Sequence, residues 1–139
     1  MENNEKIAYI NQLHELSKQL LNKREHIVKA QYMAYRITCN YAYTGVKAQG
    51  HASKAEISVD KVEQLKQQYN ELYLKYIKKR NEIHESLKQM ETPKYRQLII
   101  LRYIKRLKWR DIADKLGVSV DYAKSGLNKK ALYEFNPAQ

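Results

Sequence analysis

Cross-linking and loop-forming residues are scarce in this 139-residue chain: it has a single cysteine, Cys39, two prolines and four glycines. A lone cysteine excludes an internal disulfide and fits a reducing compartment, the cytoplasm. Few prolines and glycines among many helix formers set the expected fold class as all-α. No run of about eighteen apolar residues occurs, so a membrane span is not expected. The start, Met-Glu-Asn-Asn-Glu-Lys, lacks an apolar signal region. His14, His26, His51 and His84 form neither a two-His helical turn nor a pairing with Cys-x-x-Cys, which argues against a metal. His14-Glu15 and His84-Glu85 lack the second His that a zinc hydrolase needs. There is no Gly-rich phosphate loop, and carboxylates such as Glu63 and Glu71 fall singly on solvated helix faces. No acid, base and nucleophile assemble, so neither a cofactor nor an enzyme is expected.

Positive charge is plentiful. The net charge is +11, from 26 Lys and Arg against 15 Asp and Glu. Residues 92–139 carry eleven basic against four acidic side chains, or +7, while residues 1–91 carry fifteen against eleven, or +4. A polyanionic partner is implied, and the excess charge marks the C-terminal third as its site.

Three segments follow from the apolar spacing. From about Asn4 to Thr38, Leu13, Leu16, Leu20, Ile27 and Ala34 recur at steps near three and four, the stripe of an amphipathic helix. From about Ser58 to Thr92, with Ser58 or Asp60 as cap, Val62, Leu65, Tyr69, Leu72, Tyr76, Ile83 and Met90 form a second stripe. Lys79 and Ser86 interrupt it. The stripes predict an antiparallel hairpin over residues 1–91, pairing within the chain, with a second copy, or both. Leu13, Leu16, Leu20, Ile27, Val62, Leu65, Tyr69, Leu72, Tyr76 and Ile83 are the oligomerisation candidates. Between the helices, residues 39–57 lose the pattern and read as an exposed loop. Among the twelve tyrosines, Tyr69, Tyr73 and Tyr76 fit packing at the seam, and Tyr32, Tyr35, Tyr41 and Tyr43 surround the loop as packing or as a protein-binding surface.

Thr92-Pro93 opens a second domain, 92–139, with Thr92 as cap and Pro93 in a first helical turn. A short apolar helix follows, through Leu98, Ile99, Leu101, Tyr103, Ile104 and Leu107. Then Trp109-Arg110-Asp111-Ile112-Ala113-Asp114-Lys115-Leu116-Gly117-Val118-Ser119 reads as helix, turn and the start of another helix. Ile112, Ala113 and Leu116 share one face; Ala113 is small where helices cross; Gly117 suits a left-handed helix end; Ser119 can cap the next helix. Trp109 reads as a packing anchor. This is a helix-turn-helix, whose second helix, about 119–135, can enter the DNA major groove. With Ala123, Leu127 and Ala131 inward, Asp121, Tyr122, Lys124, Ser125 and Asn128 face the bases. Arg106, Lys108, Arg110, Ser119, Lys129 and Lys130 are the phosphate candidates.

The apolar helix ending Leu101-Arg102-Tyr103, the basic linker, Trp109, Asp111-Ile112-Ala113, Gly117-Val118-Ser119 and Ala131-Leu132 together resemble sigma-factor region 4. Two departures stand out: Gly126 replaces a branched apolar residue, and the stretch from Ala123 to Ala131-Leu132 is one residue longer. A hairpin followed by this domain resembles phage transcriptional regulators of the ArpU and RinA type. That resemblance implies a cytoplasmic activator of late genes in a bacterial host, with double-stranded DNA and RNA polymerase as partners. No segment resembles the promoter-melting part of a sigma factor. Two alternatives remain open: a small terminase-like DNA-packaging subunit, which also joins such a motif to oligomerising helices, and a protein-interaction module without DNA binding.

Overall fold

The computed structural model describes residues 2–44 and 49–137 and is helical, with no strand among them. The elements are α1 (Asn3–Thr44), α2 (Gln49–Lys88), α3 (Pro93–Ile99), α4 (Trp109–Leu116), α5 (Val120–Tyr122) and α6 (Asn128–Glu134). Two π turns, Ile100–Ile104 and Ala123–Leu127, continue α3 and α5. The chain forms two compact units, one from Met1–Leu16 with Tyr76–Gln139 and the other from Ser17–Lys75. The division expected at residue 92 thus falls inside the first unit.

Most of the loop expected at 39–57 is helical: α1 runs to Thr44 and α2 starts at Gln49, and residues 45–48 lie outside the described residues. Without a proline in this stretch the backbone satisfies its own hydrogen bonds as helix even where the apolar stripe stops. Ser58 and Asp60 therefore lie inside α2 rather than capping it. The side chains of Tyr41 and Tyr43 lie outside the described residues.

In the Ser17–Lys75 unit the helices run antiparallel. Residues 19–26 line one cleft with 68–75, and residues 26–37 line another with 58–65. Lys23 Nζ donates to Gln68 Oε1 at 3.0 Å. Leu20 and Val62 are buried, Ile27, Leu65, Tyr69 and Leu72 half-buried. The Tyr69 and Tyr73 rings stack 6.4 Å apart.

The other unit holds the main core. Ile10, Ile83, Leu87 and Met90 join Leu98, Ile99, Leu101, Ile112, Leu127, Leu132 and Phe135 in one apolar cluster. Of the pairings left open for the seam, within the chain, with a second copy or both, the one within the chain is present in each unit. Ile83 is 1% exposed, Leu13, Leu16 and Tyr76 are half-buried, and in the Ser17–Lys75 unit Val62 and Leu20 are likewise covered. Two facing stripes on one chain meet at high local concentration, so they pair with each other first.

Both polar interruptions of the seam have partners. Ser86, 2% exposed, donates its hydroxyl to the Glu82 carbonyl at 3.0 Å. Lys79 Nζ lies 3.3 Å from Glu82 Oε2 and 4.5 Å from the Tyr9 ring centre. The Tyr9 hydroxyl donates to the same carboxylate oxygen at 3.2 Å. Burial and the adjacent Glu82 charge push the Tyr9 phenol up to about 12, while the Lys79 ammonium holds Glu82 below the ordinary carboxylate value.

Three charged side chains close helix ends in this unit. Lys6, buried on α1, donates from Nζ to the Leu132 carbonyl at 2.7 Å and the Tyr133 carbonyl at 3.2 Å, capping the C-terminus of α6. Glu134 Oε1 accepts from the Glu91 and Thr92 N–H groups at 2.8 and 3.0 Å. Thr92 takes the expected cap position of α3, but its hydroxyl makes no capping bond. Arg96 donates from Nε to the Leu87 carbonyl at 2.9 Å and from Nη2 to the Met90 carbonyl, finishing α2. Each end would otherwise leave backbone groups without partners.

Candidate nucleic-acid interface

The site rests on α4, the turn after it, and the helix from Val120 to Glu134. Ile112 and Ala113 are buried on α4, which packs against both α5 and the following π turn. Ala113, 3% exposed, leaves the room for this crossing. Gly117 ends α4 at φ 68° and donates its N–H to the Ala113 carbonyl. Only glycine adopts this left-handed geometry at little cost. Val118 donates to the same carbonyl at 3.1 Å, and Ser119 Oγ accepts from the Tyr122 N–H at 3.2 Å. Turn, cap and crossing thus follow the sequence reading. Trp109 is half-buried against the core, with the Arg102 guanidinium 4.6 Å from its ring centre.

The final helix is not uniform. Across Ala123–Leu127 it widens to a π turn, and the Asn128 N–H reaches back to the Ala123 carbonyl. A π turn absorbs one extra residue without rotating the later residues off their face. The extra residue noted between Ala123 and Ala131-Leu132 is taken up there, and Ala123, Leu127, Ala131, Leu132 and Phe135 all stay buried. Gly126 also acquires a reason. A Cβ at this position would stand 3.1 Å from the Tyr122 ring, so its absence lets that ring lie along the helix.

Asp121, Tyr122, Lys124 and Ser125 are exposed on the first turns of this helix. Ser125 Oγ turns back to donate to the Asp121 carbonyl at 2.6 Å. Asn128 differs from the expectation that it faces bases: it is half-buried, and its Oδ1 accepts from the Tyr103 hydroxyl at 2.8 Å. Tyr103 is itself buried, which raises its phenol above the ordinary value. Asn128 therefore satisfies a core hydroxyl that would otherwise lack a partner.

The six phosphate candidates, Arg106, Lys108, Arg110, Ser119, Lys129 and Lys130, are all exposed. Arg106 precedes α4 at φ 58°, the strained left-handed region for a residue with a Cβ, and its Nη1 donates to Asn11 Oδ1 at 3.3 Å. Lys108 occupies the cap position of α4 and Arg110 its first turn. Cations at the positive end of a helix dipole are unfavourable, so helix stability does not account for them. Arg96 and Arg102, by contrast, are committed to carbonyls within the fold.

Sequence reasoning missed the cap network. Lys6, Arg96 and Glu134 read as ordinary charges, and no local pattern announces partners up to 127 residues away.

Among the described residues, no group of three His, Cys, Asp or Glu side chains lies together as a metal site, and no helix is long and apolar enough to cross a membrane. Crossed helices joined by this turn define the class: a helix-turn-helix domain. The family model described as Sigma-70, region 4 matches residues 80–126, so a region 4-like domain occupies this stretch. The match begins within α2, ahead of the core residues Ile83 and Leu87, and ends at Gly126 in the π turn. Neither a curated protein nor a solved structure matches the chain.

Proposed function

We propose that this protein is a sequence-specific double-stranded DNA-binding transcription regulator. The carrying observation is the exposed face Asp121, Tyr122, Lys124 and Ser125 on the second helix of the motif, together with the exposed Lys108 and Arg110, whose placement at the start of α4 helix stability does not account for. Lys124 suits guanine acceptors, Asp121 the cytosine amino group, and Tyr122 and Ser125 mixed contacts. Arg106, Lys108, Arg110, Lys129 and Lys130 neutralise phosphates and set the register, with Ser119 adding a polar contact. A phosphate above the N-terminus of α4 turns the unfavourable placement of Lys108 and Arg110 into a favourable one. The resemblance to ArpU- and RinA-type regulators makes the role activation of phage or mobile-element late genes, in the cytoplasm of a bacterial host, through contact with RNA polymerase. A homo-oligomer presents two such helices to two half-sites.

The test is capture of fragments from the source genome, followed by titration at several salt concentrations. A captured site near a late promoter is expected. Lys124→Ala weakens binding about tenfold and relaxes preference at one position, whereas Lys108→Ala weakens it on all sequences and lowers the salt slope by about one. Affinity indifferent to salt overturns the reading in favour of a protein-interaction module. A ring of many subunits selecting a packaging site overturns it in favour of the terminase-like alternative.

A further inference from the structure

Among the described residues, Arg106 alone carries a Cβ at positive φ, 58°. Its neighbours oblige that geometry. The Lys105 N–H closes the preceding π turn on the Ile100 carbonyl at 2.9 Å, and the Leu107 N–H turns back to the Leu101 carbonyl at 2.9 Å. Arg102 Nη1 donates to the Leu107 carbonyl at 3.0 Å, and the Leu107 side chain packs on the core. The chain must therefore reverse at position 106, where glycine is the relaxed choice. An arginine there brings the fold little that offsets the strain. Its side chain is exposed and donates from Nη1 to Asn11 Oδ1 at 3.3 Å, slightly beyond the usual range and open to water. Lys105, Lys108 and Arg110 are exposed beside it, so its charge adds repulsion to a cationic run. Strain kept at a surface position against stability points to a group retained for function.

We infer that Arg106 is a preset phosphate clamp, fixed by the strained backbone of its own position and aimed by Asn11 of α1, which acts as a positioning residue for DNA. The inference rests on the DNA-binding reading and deepens it, because a residue near the start of the chain takes part without touching DNA. The Asn11 bond matters for direction rather than strength. It engages one N–H of a guanidinium that has five, and leaves the Nε and Nη2 edge free to meet two oxygens of one phosphate. A side chain already aimed loses less freedom when DNA arrives. The clamp stands just ahead of α4, whose first residues hold Lys108 and Arg110. One stretch of DNA backbone running past 106–110 thus sets how α4 sits on the duplex.

The experiment follows thermal melting, and titration with mixed-sequence duplex DNA at several salt concentrations, for the full chain and its variants. Arg106→Gly is expected to raise Tm by about 3 °C, as the strain is relieved. The same variant binds DNA about tenfold more weakly, with a salt slope smaller by about one. Arg106→Lys brings back both the charge and the strain, so slope and Tm return to wild type. Asn11→Ala weakens binding about threefold with Tm within about 2 °C of wild type, and has no further effect on binding when added to Arg106→Gly. An Arg106→Gly chain that melts below wild type overturns the inference, because the arginine then serves the fold. Asn11→Ala that weakens binding equally with and without Arg106 overturns the aiming role. Arg106→Gly that binds as tightly as wild type refutes the clamp alone, whereas a wild-type chain that binds no duplex at low salt refutes the DNA-binding reading and the clamp with it.

Discussion

Replacing Lys6 by Met removes the cation that closes the C-terminus of α6 and keeps most of the apolar stem. Leu132 and Tyr133 lose donors at 2.7 and 3.2 Å. A buried carbonyl left without a partner costs about 1–3 kcal/mol, and loss of a cation at a helix C-terminus adds about 0.3–1 kcal/mol. Against this, Met spares the burial of an ammonium, a burial that holds the Lys6 pKa below its ordinary value. The net loss is about 2 kcal/mol, or about 6 °C in Tm for a chain of this length. Thermal melting followed by circular dichroism reads the total, and hydrogen exchange locates it. Amides of residues 128–135 lose protection while those in the α4 interior change less. The exposed Lys94→Ala serves as control and shifts stability by under about 0.5 kcal/mol. A Tm within a degree of wild type, with unchanged exchange in α6, refutes the idea that the first turns of α1 hold this helix in place.

Two further outcomes follow from the same geometry. The Tyr9 phenol is raised to about 12 from an ordinary 10, so the folded state keeps a proton that the unfolded chain releases. Its contribution is complete below about pH 10 and is lost as pH climbs towards 12; Tyr9→Phe therefore flattens the alkaline fall in a denaturant-midpoint series, and an unchanged slope counts against the Tyr9–Glu82 contact. Asn128→Ala strands the buried Tyr103 hydroxyl and costs about 1–2 kcal/mol in stability, while Lys124→Ala leaves the denaturation midpoint within about 0.5 kcal/mol of wild type; if the two melt alike, Asn128 is not a core residue.

Where a signal was local, the chain disclosed it. Gly117, Ser119, Ile112 and Ala113 specify the turn through backbone geometry and neighbour spacing that act within a few residues. The two apolar stripes likewise predict long helices, because periodicity belongs to the helix itself. Helix extends into the 39–57 stretch, where the sequence predicts a loop, because loss of amphipathic pattern is not loss of helix: hydrogen bonds within a helix form whether or not one face is apolar. The extra residue before Ala131 was visible in the spacing, but its consequence was not. A longer loop and a widened turn read the same in one dimension, and the buried positions of Leu127 and Leu132 decide for the turn.

Class of fold, basic C-terminal third, turn and cap were all determined by composition and short-range order, since propensity, charge and backbone freedom are properties of single residues and near neighbours. Tertiary structure alone decided that Ile10 and Lys6 belong with Phe135 and Leu132, that Glu134 serves the start of α3, and that Asn128 accepts from the Tyr103 hydroxyl. Those pairings join residues distant along the chain. They exist only once close packing excludes water and obliges each buried carbonyl, hydroxyl and charge to find a partner inside the protein.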